Sequence, residues 1–136
     1  MQLQIGVKVI IQNAQGKYLL LSRSDDYQTI GGGDGWDIPG GRINASEELL
    51  TALRREVREE IGAEIPADAQ PELLAAQDIV VPAKDLHVVR VTYRLTLDIN
   101  TIALSDEHTA YRWFTLSELK ALSLEPYLAA VVRDLR

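Results

Sequence analysis

The chain has 136 residues, 46% of them apolar and 25% charged, with 14 basic and 20 acidic residues, a net charge of −6 and no cysteine. That length suits one compact domain whose core needs no disulfide or structural metal, and the missing cysteines exclude thiolate zinc sites and cysteine nucleophiles. The acidic balance works against direct nucleic-acid binding, and the absence of a signal-peptide pattern or a run of membrane-spanning length sets the expectation of a cytoplasmic chain that binds no membrane.

In chain order, apolar side chains alternate at Leu3, Ile5, Val7, Val9 and Ile11, and Asn13-Ala14-Gln15-Gly16 supplies turn residues before a second apolar run at 18–21. The pattern predicts a hairpin. Residues 24–35 are polar and glycine-rich, too short to link domains and too long for a tight turn, and read either as a functional loop or as a plain surface loop. Helical periodicity runs over 44–61, with Asn44 and Glu47 spaced as a capping box and Gly62 as the stop. Two strand-like stretches follow at 73–81 and 86–98, the second carrying Arg90, Thr92, Arg94 and Thr96 on its even face. A short strand at 111–114 leads into Thr115, spaced to Glu118 as another capping box, and a last helix covers 126–135.

The helix over 44–61 carries the chemistry. With Glu56 at zero on a helix turning about 100° per residue, Glu60 lies at about +40° and Glu59 at about −60°. Leu49, Leu50, Leu53, Val57 and Ile61 form a core-facing stripe centred at about +90°. The three carboxylates therefore stand at the edge of the core, whereas the side opposite the stripe holds Glu47, Glu48, Arg54, Arg55 and Arg58. Like charges in such a place repel unless a cation neutralises them, and magnesium, a hard ion that takes oxygen ligands and is completed by substrate phosphates, is the natural neutraliser. The alternative is a solvated charged face with exposed ion pairs. Ahead of the helix, Trp36-Asp37-Ile38-Pro39-Gly40-Gly41 places a rigid proline and two glycines where a backbone carbonyl can approach a bound ion closely.

The stretch GRINASEELLTALRREVREEIGA resembles the signature of the Nudix hydrolases, with Gly41, Glu47, Arg55, Glu56, Val57, Glu59, Glu60 and Gly62 in register. Ala63 departs from it, being smaller than the Ile, Leu or Val expected last. The resemblance implies an α+β fold, an α/β/α sandwich with a mixed sheet between helices and a loop-helix-loop metal site. It also implies hydrolysis of a nucleoside diphosphate linked to another group, with magnesium as cofactor and manganese as an alternative. On the family's pattern Glu56 and Glu60 are the principal metal ligands, Glu59 a further one, and Gly40 offers its backbone carbonyl. Arg55 orients the glutamates of the box, as a catalytic group or purely as scaffold, with Glu47 as its structural partner.

Outside the box, Arg23, Arg90 and Arg94 are candidates for gripping substrate phosphate, against the reading that each is an ordinary surface arginine. Tyr27 and Trp36 are candidates for stacking on a base, although a Trp in that place also suits the core. Ser105-Asp106-Glu107-His108 resembles the Glu-containing loop that many Nudix enzymes lay across the metal site. Glu107 is the chosen general base or second-metal ligand, His108 its rival because its ordinary pKa suits neutral pH, and a solvated acidic loop the third reading, in which case the catalytic base falls within the box, to Glu59 first. The short chain resembles the mutator-type nucleoside triphosphatases, so the expected substrate is a nucleoside triphosphate, ordinary or oxidised. ADP-ribose, a nucleotide sugar, or a non-catalytic nucleotide-sensing role are the alternatives, and the resemblance also allows a homodimer.

Overall fold

The computed structural model describes residues 1–23 and 34–136. The expected hairpin is formed by β1 (Gln2–Gln12) and β2 (Tyr18–Arg23), which meet antiparallel at Gln12 and Tyr18. Asn13 makes the turn, its side-chain oxygen accepting from the amides of Gln15 and Lys17, and Gly16 supplies the positive φ of 78°. Beyond that pair the strands part. β4 (Gly40–Arg42) lies antiparallel to β1, while β3 (Trp36–Asp37) and β7 (His108–Phe114) both pair with β2. β5 (Glu72–Val81) and β6 (Leu86–Thr96) form a second antiparallel pair, and β6 runs parallel to β1 from Gln2 and Leu86 to Gln12 and Thr96. The result is a mixed seven-stranded sheet with the path β3-β2-β1-β6-β5.

The alternation along β1 and β2 sorts side chains to two cores. Val7, Val9, Ile11, Leu19 and Leu21 meet Leu53, Val57 and Ile61 of α1 (Leu49–Ile61) on one face. Each of those helix side chains, once buried, contributes roughly 1.5 to 3 kcal/mol. On the other face Ile10, Tyr18, Leu20 and Phe114 meet α2 (Leu116–Ala121) and α3 (Pro126–Arg133). The sheet is thus covered by helices on both sides, an α+β arrangement. Trp36 packs edge-on against Phe114, with ring centroids 5.2 Å apart, so it is part of this second core. No helix among the described residues is long and apolar enough to cross a membrane.

The sequence reading places the start of α1 too early. Asn44 and Glu47 do exchange bonds, Asn44 N–H donating to Glu47 Oε1 at 3.0 Å and Glu47 N–H to the Asn44 carbonyl at 3.0 Å. They close a turn, because Ser46 has a φ of 68° that no helix accommodates, and the helix begins at Leu49. Gly62 ends it as expected, at a φ of 70° with its N–H on the Arg58 carbonyl. The Thr115 and Glu118 capping box forms in full at the head of α2. β7 starts three residues earlier than the periodicity indicates, which moves His108 from a loop into a strand.

Candidate active site

The entrance to α1 is built on close backbone approach. Gly40 has a φ of 143°, and a side chain there would collide with the Val7 carbonyl oxygen and Lys8 Cα of the paired strand. A Cβ on Gly41 would stand 2.5 Å from Glu56 Oε2. The two glycines therefore let β4 lie flush between β1 and the acidic side of α1. This packing points the Gly40 N–H at Glu60 Oε2, 3.1 Å away.

Glu60 is only 5% exposed, and burial pushes its carboxyl up to about 7, with repulsion from Glu56 and Glu107 acting in the same direction against Lys8 and the Gly40 amide. Glu56 is raised as well, first by burial, and also by Glu59 and Glu107, while Arg55 opposes the shift. Arg55 holds the cluster together. It forks onto Glu47 at 2.8 and 2.9 Å, reaches Glu56 Oε1 at 2.8 Å, and donates to the Arg42 carbonyl at 3.1 Å. Its hydrogen bonds hold the Glu47 carboxyl down at about 2. Glu59 is exposed, and its nearest contact with Arg55 is 3.4 Å. Among the described residues no three acidic or histidine side chains already stand in a ready-made cage.

Glu107 reaches this cluster because the segment before it is tied to the end of α1. The Ala103 and Ser105 amides each donate at 3.0 Å, to the carbonyls of Ile61 and Glu60 respectively. These are carbonyls that a helix end leaves without partners of its own. His108 is 7% exposed, and its Nδ1 is buried without a hydrogen-bond partner among the described residues. Burial, then Lys8 and Arg23, lower its pKa, so it stands neutral at pH 7.

A cleft of about 290 Å³ is lined by residues of β1, β4 and β6 with Arg23, and brings the carboxylates of Glu60 and Glu107 together with the cations Lys8, Arg23, Arg42 and Arg90. A larger hollow of about 430 Å³ lies between α2 and α3, but it is lined largely by apolar side chains and holds none of these groups. On the cleft floor, Lys8 Nζ and Arg23 Nη1 both donate to Asp37 Oδ2, at 3.1 and 2.9 Å. Although burial pulls the other way, Lys8 and the Ile38 amide hold the Asp37 carboxyl below its ordinary range. Arg90 donates to Glu125 Oε1 at 2.9 Å. Arg94, expected beside it, is not in the cleft: it bonds to Gln12 Oε1 at 2.8 Å and the Tyr18 hydroxyl at 3.1 Å. Four residues of strand carry a side chain roughly 13 Å along the sheet, too far to share one phosphate. Tyr27 and most of the 24–35 segment lie outside the described residues. Sequence reasoning missed Lys8 and Asp37, since one lysine in an alternating strand and one aspartate after a tryptophan carry no local signal.

The NUDIX domain family model matches residues 2–135. The chain is 28% identical over 121 residues to the nucleoside triphosphatase NudI of Salmonella agona (strain SL483), covering 85% of this chain and 84% of that protein. Its structure is similar to the MutT protein of Methanosarcina mazei Go1, with a TM-score of 0.80, 28% identity, and coverage of 96% of this chain and 91% of that one. It also resembles the MutT NUDIX hydrolase of Burkholderia pseudomallei over 100% of both chains, with a TM-score of 0.82 and 25% identity. With the signature helix, its glycine entrance and this coverage together, the chain belongs to the Nudix family, as a pyrophosphohydrolase of the MutT type.

Proposed function

We propose that the chain is a magnesium-dependent nucleoside triphosphate pyrophosphohydrolase that releases the nucleoside monophosphate and pyrophosphate. The observation that carries the reading is the buried Glu60 carboxyl, acted on by Glu56 and Glu107, in a cleft that Lys8, Arg23, Arg42 and Arg90 also line. The donor set fits a hard divalent ion: the groups are carboxylates, they repel one another when ionised, and one is too buried to be solvated. Glu56 and Glu60 are the principal ligands in this reading, with Glu59 and the Gly40 carbonyl as further ones. Magnesium is the ion proposed, and manganese has the same donor preference. When bound, the ion withdraws charge from the phosphate oxygens and provides a nucleophile at neutral pH.

The chain's own residues do the rest. Arg55 fixes Glu56 at 2.8 Å and is itself fixed by Glu47, which keeps the carboxylates aimed. Glu107 is the general base or an additional ligand, depending on whether it reaches water or ion. His108, being neutral and buried, remains the rival base. Arg23 and Arg90 line the cleft as substrate-binding groups, while Arg94 takes no part. The substrate class is supported by the likeness to a nucleoside triphosphatase. A panel of purified nucleoside triphosphates, ADP-ribose and nucleotide sugars, assayed with magnesium and read by product identity, tests it. Monophosphate plus pyrophosphate from the triphosphates supports the reading; cleavage of ADP-ribose or sugars alone, or orthophosphate as the first product, overturns it.

A further inference from the structure

The cations of the cleft are not equivalent. Arg90 is committed to Glu125, whose carboxylate also accepts from the Tyr127 and Leu128 amides at the head of α3. It acts as a wall. Lys8 is different. Its side chain is 12% exposed, and Nζ donates to Asp37 Oδ2 at 3.1 Å and to the Ile38 carbonyl at 3.2 Å. Among the described residues Asp37 is its one carboxylate at ion-pair distance, and Lys8 shares that single oxygen with Arg23. An ammonium has three donors, so one of the three has no acceptor among the described residues. Both Asp37 oxygens also have other donors, Arg23 and the Ile38 amide at 2.9 and 2.8 Å, although Lys8 is the charge that does most to hold its carboxyl low.

The surroundings indicate what the remaining donor meets. Lys8 pairs in register with Gly40, whose amide bonds to Glu60, and its charge acts on that buried carboxylate. Two residues back on the same strand face is Gly6. A Cβ there would have its nearest neighbour at 3.6 Å, so a side chain would fit and its absence leaves the cleft floor open. A cation beside an uncovered strip of backbone has the chemistry to receive a phosphate oxygen.

We propose that Lys8 contacts the substrate, its ammonium donating to a non-bridging phosphate oxygen in the cleft that Gly6 and Glu60 also line. The inference rests on the pyrophosphohydrolase reading and deepens it by naming the group that receives the phosphate chain. The test compares the parent protein with Lys8→Gln and Lys8→Arg, using inorganic triphosphate with magnesium as the binding probe alongside nucleoside triphosphate turnover. Gln keeps a donor for Asp37 and Ile38 and loses the charge. Its triphosphate affinity should weaken, and its nucleotide KM rise, by about ten- to hundredfold, the value of a charge-assisted hydrogen bond, with kcat held within about threefold. Arg should recover most of the loss.

A lowered melting temperature with unchanged affinity and KM makes Lys8 a structural counterion and overturns the proposal, as does a parent protein that binds no triphosphate. A parent that binds triphosphate but hydrolyses no nucleotide defeats the substrate reading alone, and the affinities still decide Lys8. Should Lys8→Gln not fold, lysine methylation of the parent decides it. Triphosphate must slow modification of Lys8 relative to the exposed Lys17, Lys84 and Lys120, and equal rates overturn the proposal.

Discussion

Two buried glutamates lie on the two sides of this sheet. Glu125, 3% exposed, accepts from Arg90 and from two backbone amides at 2.8 to 2.9 Å, so that burial and bonding agree. Glu60, 5% exposed, has one amide at 3.1 Å, two carboxylates acting against it and a carboxyl pushed up to about 7. The same side chain, equally far from solvent, is in one place a satisfied helix cap and in the other a group still short of a partner. Burial alone does not tell structure from chemistry. What tells them apart is the difference between the bonds a buried group can make and those the protein gives it.

Substitutions can break that contrast. Glu60→Gln has the largest expected effect, a loss of turnover of about a thousandfold with the melting temperature of the metal-free protein unchanged or raised, since a repelled charge is removed. Circular dichroism beside a steady-state assay measures both, and unfolding or near-parental turnover would end the reading of this helix as a metal site. Glu125→Ala should do the reverse, costing about 3 to 5 kcal/mol of stability in urea melts by stranding Arg90 and uncapping α3. If it melts like the parent, the two glutamates do not differ as stated.

The pH dependence sharpens the same contrast. A carboxyl whose folded pKa is raised binds its proton more tightly folded than unfolded, so its contribution is fully present below about 4.5 and is lost as pH rises through about 7. Chelator-treated parent should therefore lose up to about 3 kcal/mol more than Glu60→Gln between pH 5 and 8, the comparison removing the contributions of Glu56 and His108 that both proteins share. Asp37, whose carboxyl is held low, acts oppositely and in a separate acidic window below its ordinary range.

Glu107→Gln should lower kcat by about ten- to hundredfold at saturating magnesium, with His108→Ala doing far less. Recovery of the Glu107 variant at higher magnesium would make it a ligand instead of a base, and parental rates in both variants would remove the segment from the chemistry. The smallest effects separate a cap from a turn: Thr115→Ala should cost about 1 kcal/mol in urea melts, because its hydroxyl accepts the Glu118 amide, and Asn44→Ala less, since Asn44 caps no helix.

Local patterns were legible where neighbours in sequence decide the outcome. The Asn13–Gly16 turn, the stop at Gly62 and the Thr115 cap each depend on a few adjacent residues, and the spacing of Glu56 and Glu60 follows from helix geometry. Less legible was anything set by distant partners. The start of α1 depends on Ser46 turning left-handed while Arg55, eight residues on from Glu47, claims the Glu47 carboxylate. Arg90 and Arg94 share a strand face, but α3 meets the first and Tyr18 the second. The parallel run of β1 beside β6, and with it the place of Lys8 on the cleft floor, is tertiary information that a single strand does not contain.

The tie between the segment 103–105 and the end of α1 has a bearing on how such a scaffold changes over generations. Both anchors are main-chain amides, which every residue except proline possesses, so side chains there can drift without loosening the tether. Position 107 is thereby carried on a fixed mount with an interchangeable tool. A library randomised at 106 and 107 in this protein, leaving the buried His108 of β7 in place, would vary the reagent presented to the cleft while holding its address constant, and the diversity recovered would concern chemistry rather than folding.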